Sequence, residues 1–296
     1  MASNNLRIIY QNAVDISTTT LAASSTASVS TTVANIRNDT KSLIWRSGAG
    51  KQQRILLTST IPLDIGGIVI PFCNLTSTAT IRVQAYTSAT SAVATYGGVA
   101  GSGTLLADTG AVLASPYPTL SLWDWGTNPL GSNVYAYGGG TYGRVWLATQ
   151  ITGCYSIAID INDTNNTNNY IEASRLFIGK YWSPKYNTSY GLSTIMKDLS
   201  SHERSEAGDL ITNRGIRHNS MTFDLNWLVK EDRQEMQQIL RGNGISKSMV
   251  ISLFPDNVED YGKEQSHQIC GKLSDISPLT HPILELYSTS INIDEI

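Results

Sequence analysis

Charged residues are distributed unevenly along this chain of 296 residues, and the unevenness restricts the folds it can adopt. Residues 1–170 contain 8 Lys/Arg and 7 Asp/Glu, whereas residues 171–296 contain 13 Lys/Arg and 17 Asp/Glu. The first part is rich in Ser, Thr, Ala, Gly and Asn, with runs of β-branched residues. A chain of this length is expected to form two domains. We therefore predict two differently built modules, residues 1–180 and 181–296, and an adaptor or assembly role rather than one catalytic pocket.

The bulk composition argues against several classes of protein. The net charge of −3 and the lack of any basic block do not indicate a nucleic-acid surface. No run of 18 apolar residues occurs, so no membrane insertion is expected. The N-terminus lacks the pattern of a signal peptide. Cys73, Cys154 and Cys270 are far apart, which predicts buried thiols in a reducing cytosol.

The first module has the pattern of short strands separated by Gly, Asn, Ser and Thr clusters. Between Thr80 and Tyr86, polar and apolar residues alternate with a period of two, which is typical of a half-buried strand. Gly66-Gly67 predicts a bulge or sharp turn. We expect an antiparallel β-sandwich or barrel, with strands at 6–10, 43–46, 54–58, 68–72, 80–86, 144–148, 154–159 and 171–178.

Residues 87–142 break this pattern of short strands and turns, and they are predicted to form a long excursion from the sandwich. The segment is rich in Gly, Ala and Ser and then in aromatic residues. Aromatic faces stack on the apolar faces of sugars, which makes this segment the candidate for glycan recognition. Alternatively, its tryptophans anchor the loop to its own sandwich or to a neighbouring subunit. The candidate residues for either role are Trp123, Trp125, Tyr135, Tyr137 and Tyr142.

The second module is predicted to contain strands around one main helix. Residues 230–241 carry an apolar stripe at helical spacing, and Gly242 and Gly244 are suited to the C-cap. Two short strands are expected within 208–225, and further strands at 249–254, 269–273 and 283–293. The order of strands, one helix and further strands indicates an α+β or helix-decorated β domain.

Motifs for catalysis and cofactor binding are weak in this sequence. The four histidines have no metal-ligand spacing, and we predict neither enzyme activity nor a cofactor. Asp108 and Asp124 are conceivable as a carboxylate pair for glycoside hydrolysis, but nothing in the sequence sets their separation. Asp160, Asn162 and Thr164 resemble the start of a calcium loop. The loop lacks Gly at position six and Glu at position twelve, so a surface turn is favoured.

The strands of the first module resemble galactose-binding-like jelly rolls of the discoidin type. The residues that carry this resemblance are Leu6–Tyr10, Ser42–Arg46, Arg54–Leu57, Ile65–Leu75, Ala79–Ala85, Ser156–Asp163 and Tyr170–Gly179. The whole chain, including Lys180–Asn187, Arg204–Gly208 and Val250–Asp256, is similar to tailed-bacteriophage virion proteins of the tail tip or baseplate. In element order, the second module resembles the β-sandwich-plus-helix domain of tail tubes and distal-tail hubs.

These resemblances imply a structural protein of a phage tail, assembled in the bacterial cytoplasm. They imply that residues 1–180 face outward and residues 181–296 join the tail core. The expected partners are other copies of the chain in a ring and other tail or baseplate proteins. The alternative function is a carbohydrate-binding adaptor that contacts glycans on the host surface.

Overall fold

The computed structural model of this protein describes residues 5–89, 94–98, 103–115, 141–256, 261–283 and 285–296. The chain divides into two compact units. The first unit comprises Met1–Ser183 together with Ser252–Gln268, and the second comprises Pro184–Ile251 together with Ile269–Ile296. The boundary predicted from the sequence places every residue after 180 in the second module. The structure instead groups residues 252–268 with the first unit, because the buried carboxylate of Glu264 is held there by Arg144.

The first unit is an antiparallel β structure built around two very long strands. Its main sheet has the order β3-β9-β4-β8-β5-β6, with β2 and β10 paired to β4 and β7 paired to β5. The strands of this unit are β1 (Arg7–Ile9), β2 (Thr19–Ala23), β3 (Trp45–Arg46), β4 (Gln52–Cys73), β5 (Thr80–Tyr86), β6 (Leu105–Asp108), β7 (Val112–Leu113), β8 (Thr141–Asn162), β9 (Glu172–Ala173) and β10 (Phe177–Gly179).

Register shifts interrupt the long pairing between β4 and β8. The two strands pair antiparallel, with Ile55 opposite Ile159, and their register shifts at several points between Thr58 and Cys73. Odd-numbered residues such as Ile55 and Leu57 face the core before these shifts, and even-numbered residues such as Ile68 face it afterwards. A bulge inserts an unpaired residue and so exchanges the two faces of a strand. The residues of β4 that face the core therefore change from odd-numbered to even-numbered along the strand.

The prediction of a mainly β chain with an antiparallel sandwich is confirmed. The strands predicted at 54–58 and 68–72 are parts of the single strand β4, and those at 144–148 and 154–159 are parts of β8. The bulge predicted at Gly66-Gly67 lies within β4. A Cβ atom added to Gly67 would lie 2.5 Å from the Trp146 ring, so close packing requires glycine at this position.

Part of the predicted excursion at 87–142 belongs to the sheet. Both β6 and β7 pair antiparallel with β5, so residues 105–113 extend the sandwich edge rather than leaving it. Gly98 O accepts a hydrogen bond of 2.5 Å from Arg54 Nη1, which attaches a further part of the segment to the same sheet. The excursion is therefore shorter than predicted, since residues 105–113 pair with β5 and Gly98 is hydrogen-bonded to Arg54 of β4.

The second unit contains a sheet with the order β15-β16-β18-β14-β11, to which β17 adds by pairing with β18. Strands β12 and β13 form a separate two-stranded sheet. The elements of this unit are β11 (Ser193–Asp198), β12 (Ser201–Arg204), β13 (Leu210–Asn213), β14 (Arg217–Leu228), α1 (Lys230–Asn243), β15 (Met249–Ser252), β16 (Gln268–Leu273), β17 (Thr280–Ile283) and β18 (Leu286–Glu295).

The predicted helix is confirmed as α1. Met236 and Ile239 from its apolar stripe are buried. Its C-cap is Gly244, with φ of 51°, and the Gly244 N–H donates to Leu240 O at 3.0 Å. Glycine adopts this left-handed conformation without the steric cost of a Cβ atom. The local sequence thus determines where the helix ends.

Candidate interaction surfaces

A long β-ribbon in the second unit is the most exposed regular structure among the described residues. Strand β11 pairs antiparallel with the first part of β14, with Lys197 opposite His218. Strand β12 continues from β11 and pairs with β13, with His202 opposite Thr212. The Leu199 N–H donates to Ile216 O at 3.0 Å between the two paired segments. We call this ribbon, residues 193–217, the arm.

The arm exposes apolar side chains that a folded chain ordinarily buries. Every residue of β11, β12 and β13 is exposed to solvent. Further along the same ladder, Met221 and Phe223 of β14 are almost fully buried. The large apolar side chains of the arm, with exposed fractions from 42% to 73%, are Ile195, Met196, Leu199, Leu210, Ile211 and Ile216.

Both faces of the distal arm carry exposed apolar groups. Leu210 lies opposite Arg204, and Ile211 lies opposite Glu203. Adjacent residues of a strand point to opposite faces, so Leu210 and Ile211 project on the two sides of the ribbon. A two-stranded ribbon is at best marginally stable in water by itself. The arm therefore has the properties of a segment that becomes covered in an assembly.

The charged side chains at the base of the arm form ion pairs with groups of the same unit. Arg217 Nε donates to Asp198 Oδ2 at 2.8 Å, and Lys197 Nζ donates to Asp294 Oδ1 at 2.6 Å. Hydrogen bonds from the side chain and backbone of Ser200, and then from Arg217, lower the pKa of Asp198 to about 2. These charges hold the ribbon in register and leave its apolar groups available for contact.

The aromatic candidates from the sequence lie mostly outside the described residues: Trp123, Trp125, Tyr135 and Tyr137. Tyr142 is described and lies at the start of β8. Its ring is buried and packs edge-on against Phe72, with ring centroids 5.4 Å apart. The ammonium of Lys41 lies 4.0 Å from the Phe72 ring centroid. Tyr142 is therefore a buried packing residue in the strand that follows residues 116–140.

One arginine holds the two chain ends that flank residues 116–140. The Arg144 N–H donates to Ala114 O at 2.9 Å, and Arg144 Nη1 donates to Leu113 O at 2.8 Å. The same guanidinium donates to both carboxylate oxygens of Glu264 at 2.8 Å. Both side chains are largely buried. Arg144 thus joins the described residues on the two sides of residues 116–140.

In the suggested calcium loop, the carboxylate of Asp160 and the backbones of Asn162 and Thr164 make other contacts. Arg54 donates to both carboxylate oxygens of Asp160 at 2.6 Å, and this ion pair is almost completely buried. Asn162 is paired within the β-ladder, and the backbone oxygen of Thr164 accepts a hydrogen bond from Lys51 Nζ at 2.9 Å. Within the described ranges, no group of three or more His, Cys, Asp and Glu residues is placed to hold a metal ion.

The carboxylate suggested for glycoside hydrolysis is likewise engaged. Arg82 Nε donates to Asp108 Oδ1 at 2.8 Å, and the paired guanidinium holds the pKa of Asp108 well below its usual range. A general acid needs a pKa near the working pH. Asp108 is therefore suited to an ion pair rather than to proton transfer, and Asp124 lies outside the described residues.

Among the residues that the structure describes, no helix has the length and apolar character needed to cross a membrane.

Comparisons with known proteins relate the chain only to solved structures. No family model matches it, and no curated protein matches it. The GH29 fucosidase of Ruminococcus gnavus in complex with fucose is 13% identical, with a TM-score of 0.37. The match covers 59% of this chain and 27% of the fucosidase, so the chain spans well under two thirds of that protein's length.

Two smaller proteins match over almost their whole length. Chitosan-binding module 1 from a chitosanase/glucanase of Paenibacillus sp. IK-5 is 10% identical with a TM-score of 0.35; the match covers 57% of this chain and 99% of the module. The family 32 carbohydrate-binding module of C. perfringens NanJ, in complex with galactose, is 15% identical with a TM-score of 0.34. That match covers 58% of this chain and 98% of the module.

Proposed function

We propose that this protein is a non-catalytic structural component of a bacteriophage tail tip or baseplate. The second unit is the assembly module, which contacts other copies in a ring and neighbouring tail proteins. The first unit is the outward-facing jelly roll. The protein is assembled in the bacterial cytoplasm and resides in the virion. The observation that carries this proposal is the exposed arm, residues 193–217.

The arm supports an assembly role because its regular structure costs conformational entropy, and its own apolar side chains bury little surface in return. Fixing one residue costs about 1–2 kcal/mol in conformational entropy. Burial of apolar surface returns roughly 25 cal/mol per Å², yet the six apolar side chains of the arm remain at least 42% exposed. Contact with another protein would cover them. The placement in a phage tail rests on the sequence resemblance described above.

A non-catalytic role is supported by the state of the buried charges in the first unit. Asp160 is paired with Arg54, and Glu264 is paired with Arg144, both with two hydrogen bonds. In each of these pairs both carboxylate oxygens are occupied by an arginine, which favours a structural role for the carboxylate.

The assembly role is tested by replacing Leu210 and Ile211 together with Ser. Both side chains are exposed, so the variant should fold as the wild type does while losing incorporation into phage particles. The matched control is Val29→Ser in the first unit, since Val29 is 96% exposed outside the arm. Particle content is measured by mass spectrometry of purified virions. Normal incorporation of the Leu210/Ile211 variant would contradict the proposal.

A second candidate function is that of a carbohydrate-binding adaptor contacting host surface glycans. It is favoured by the hydrogen bonds from Arg144 to Leu113 and Ala114, which join the described residues on the two sides of residues 116–140. Binding residues are commonly carried on loops that a rigid scaffold positions. The contacts would come from Trp123, Trp125, Tyr135 and Tyr137, with Tyr142 packed at the base.

The adaptor role is tested by replacing Trp123 and Trp125 with Ala. Loss of host-cell adsorption with normal particle assembly would support glycan binding, whereas incomplete tails would show that the two tryptophans are assembly anchors. Tyr190→Ala serves as the control, because Tyr190 is a fully exposed aromatic residue of the second unit. Release of reducing sugar from host envelope by the purified protein would contradict the non-catalytic assignment.

A further inference from the structure

Strand β11 ends the main sheet of the second unit with an open edge. The Leu199 N–H donates to Ile216 O, directly beyond the last pair of the β11–β14 ladder. In an antiparallel ladder, residues alternate between bonding their neighbour strand and facing away. Ile195 and Lys197 therefore bond β14, and the backbone groups of Thr194, Met196 and Asp198 point outward. Among the described strands, none pairs with this outer side of β11.

This edge lacks the protection found on another edge strand of the same unit. Strand β17 pairs only with β18 among the described strands, and it contains Pro282, which removes a backbone donor from the edge. Strand β11 contains no proline. Its charged residues, Lys197 and Asp198, are held by Asp294 and Arg217 respectively. The β11 edge is thus open to a further strand.

We infer that β11 is a strand-pairing site and that its partner is β11 of a second copy of this chain. The two strands run antiparallel across a two-fold axis at Met196, so that the sheets of two copies become continuous. The inference rests on the proposed function, in which the arm is an assembly surface, and it names the partner and register at that surface.

Side-chain complementarity selects this register. With Met196 opposite Met196 of the second copy, Thr194 lies opposite Asp198 and Ile195 lies opposite Lys197. Apolar side chains meet at the centre, and no like charges are opposed. A register centred on Lys197 would place two ammonium groups directly opposite each other, which is destabilising. A register centred on Met196 also matches the outward-facing backbone groups of both strands.

The balance of charge on the whole arm also favours a second copy. Residues 193–217 contain Lys197, Arg204, Arg214 and Arg217, and they contain Asp198, Glu203, Glu206 and Asp209. Two identical arms therefore approach without net repulsion. A two-fold contact joins two copies and closes on itself, so β12 and β13 remain available for the separate contacts that join such pairs into a ring and bind other proteins of the assembly.

Cysteine cross-linking tests the register. In the proposed dimer, the Cα atoms of two directly opposite, hydrogen-bonded residues lie about 5.5 Å apart, a separation that a disulfide bridges. Met196→Cys should therefore form a covalent dimer under mild oxidation. Thr194→Cys is the matched control on the same strand, edge and face. Its two copies would lie roughly 13 Å apart at about 3.4 Å per residue, too far for a disulfide.

The native cysteines do not interfere with this experiment. Cys73, Cys154 and Cys270 are buried. Burial raises the pKa of the Cys73 and Cys154 thiols to about 11, so the reactive thiolate is scarce at neutral pH. The wild-type protein provides the background rate of cross-linking.

We expect the Met196→Cys variant to cross-link at least tenfold faster than the Thr194→Cys variant. Equal rates would indicate random collision and overturn the inference, and so would the lack of a Met196→Cys dimer in protein whose circular dichroism matches the wild type. Particle incorporation is scored separately. If replacing Leu210 and Ile211 abolishes incorporation but Met196→Cys does not cross-link, this register is refuted and the assembly role stands. If the Leu210/Ile211 variant is incorporated normally and Met196→Cys does not cross-link, the proposed function is refuted as well.

Discussion

The ladder between β4 and β8 and the arm are both antiparallel β structure, yet they differ in what covers them. Ile55, Leu57 and Ile159 of the first ladder are fully buried in a core shared by several strands. The apolar residues of the arm have no such cover among the described residues. The comparison shows that the same backbone pairing can carry buried apolar side chains in one region and exposed ones in another. Side-chain burial, rather than hydrogen bonding, distinguishes the two.

The largest expected effect is in the buried charges of the first ladder. Arg54→Ala removes the partner of the Asp160 carboxylate, which is almost completely buried. An unpaired buried charge destabilises a protein by about 3–5 kcal/mol. We expect the free energy of unfolding of the first unit to fall by this amount in urea denaturation. Arg82→Ala is the control, because the Arg82–Asp108 pair is partly exposed, and it should cost less than about 1 kcal/mol.

A leucine-to-serine substitution tests the comparison directly, because both regions contain leucine. Leu57→Ser leaves a cavity and a buried hydroxyl in the sandwich, and we expect a loss of about 3 kcal/mol or more. Leu210→Ser in the arm should change the free energy of unfolding by less than about 0.5 kcal/mol. Thermal unfolding of the isolated protein measures both. If the two variants were equally unstable, the arm would be part of a core rather than an interface.

A smaller effect is expected at the bulge of β4. A Cβ atom at Gly67 would lie 2.5 Å from the Trp146 ring, and overpacking of this kind costs about 1–3 kcal/mol. Gly67→Ala should therefore lower the unfolding temperature. Gly242→Ala is the matched control, since no atom lies within 4 Å of its added Cβ and alanine is the better helix former. An unchanged unfolding temperature for Gly67→Ala would mean that the sandwich adjusts at this bulge.

The smallest effect concerns the pH dependence of the arm. The pKa of Asp198 in the folded protein is about 2, below the value of about 3.9 for an unperturbed aspartate. A lowered pKa stabilises the folded arm above the unfolded value, and this contribution is lost as the pH falls from about 4 through about 2. The protection of the Leu199 amide against hydrogen exchange, relative to the intrinsic exchange rate at each pH, should therefore fall in that range. Asp198→Asn should abolish the dependence, and its persistence would assign the titration to another group.

The sequence by itself determined the local features of this protein. The alternation of polar and apolar side chains predicted strand β5 with the same bounds as in the structure, Thr80–Tyr86. The apolar stripe and Gly244 predicted the helix α1 and its end. The bulge at Gly66-Gly67 was also predicted. These features depend on residues adjacent in the chain, whose preferences are readable from the sequence alone.

Only the tertiary structure decided which segments meet. Arg54 and Asp160 are 106 residues apart, and Arg144 and Glu264 are 120 apart. Their pairing assigned Asp160 to an ion pair and residues 252–268 to the first unit. The tertiary structure likewise buried Tyr142 and left Ile195 and Met196 exposed. Periodicity indicates which residues share a face of a strand, but burial depends on whether a distant segment covers that face, and no local pattern records this.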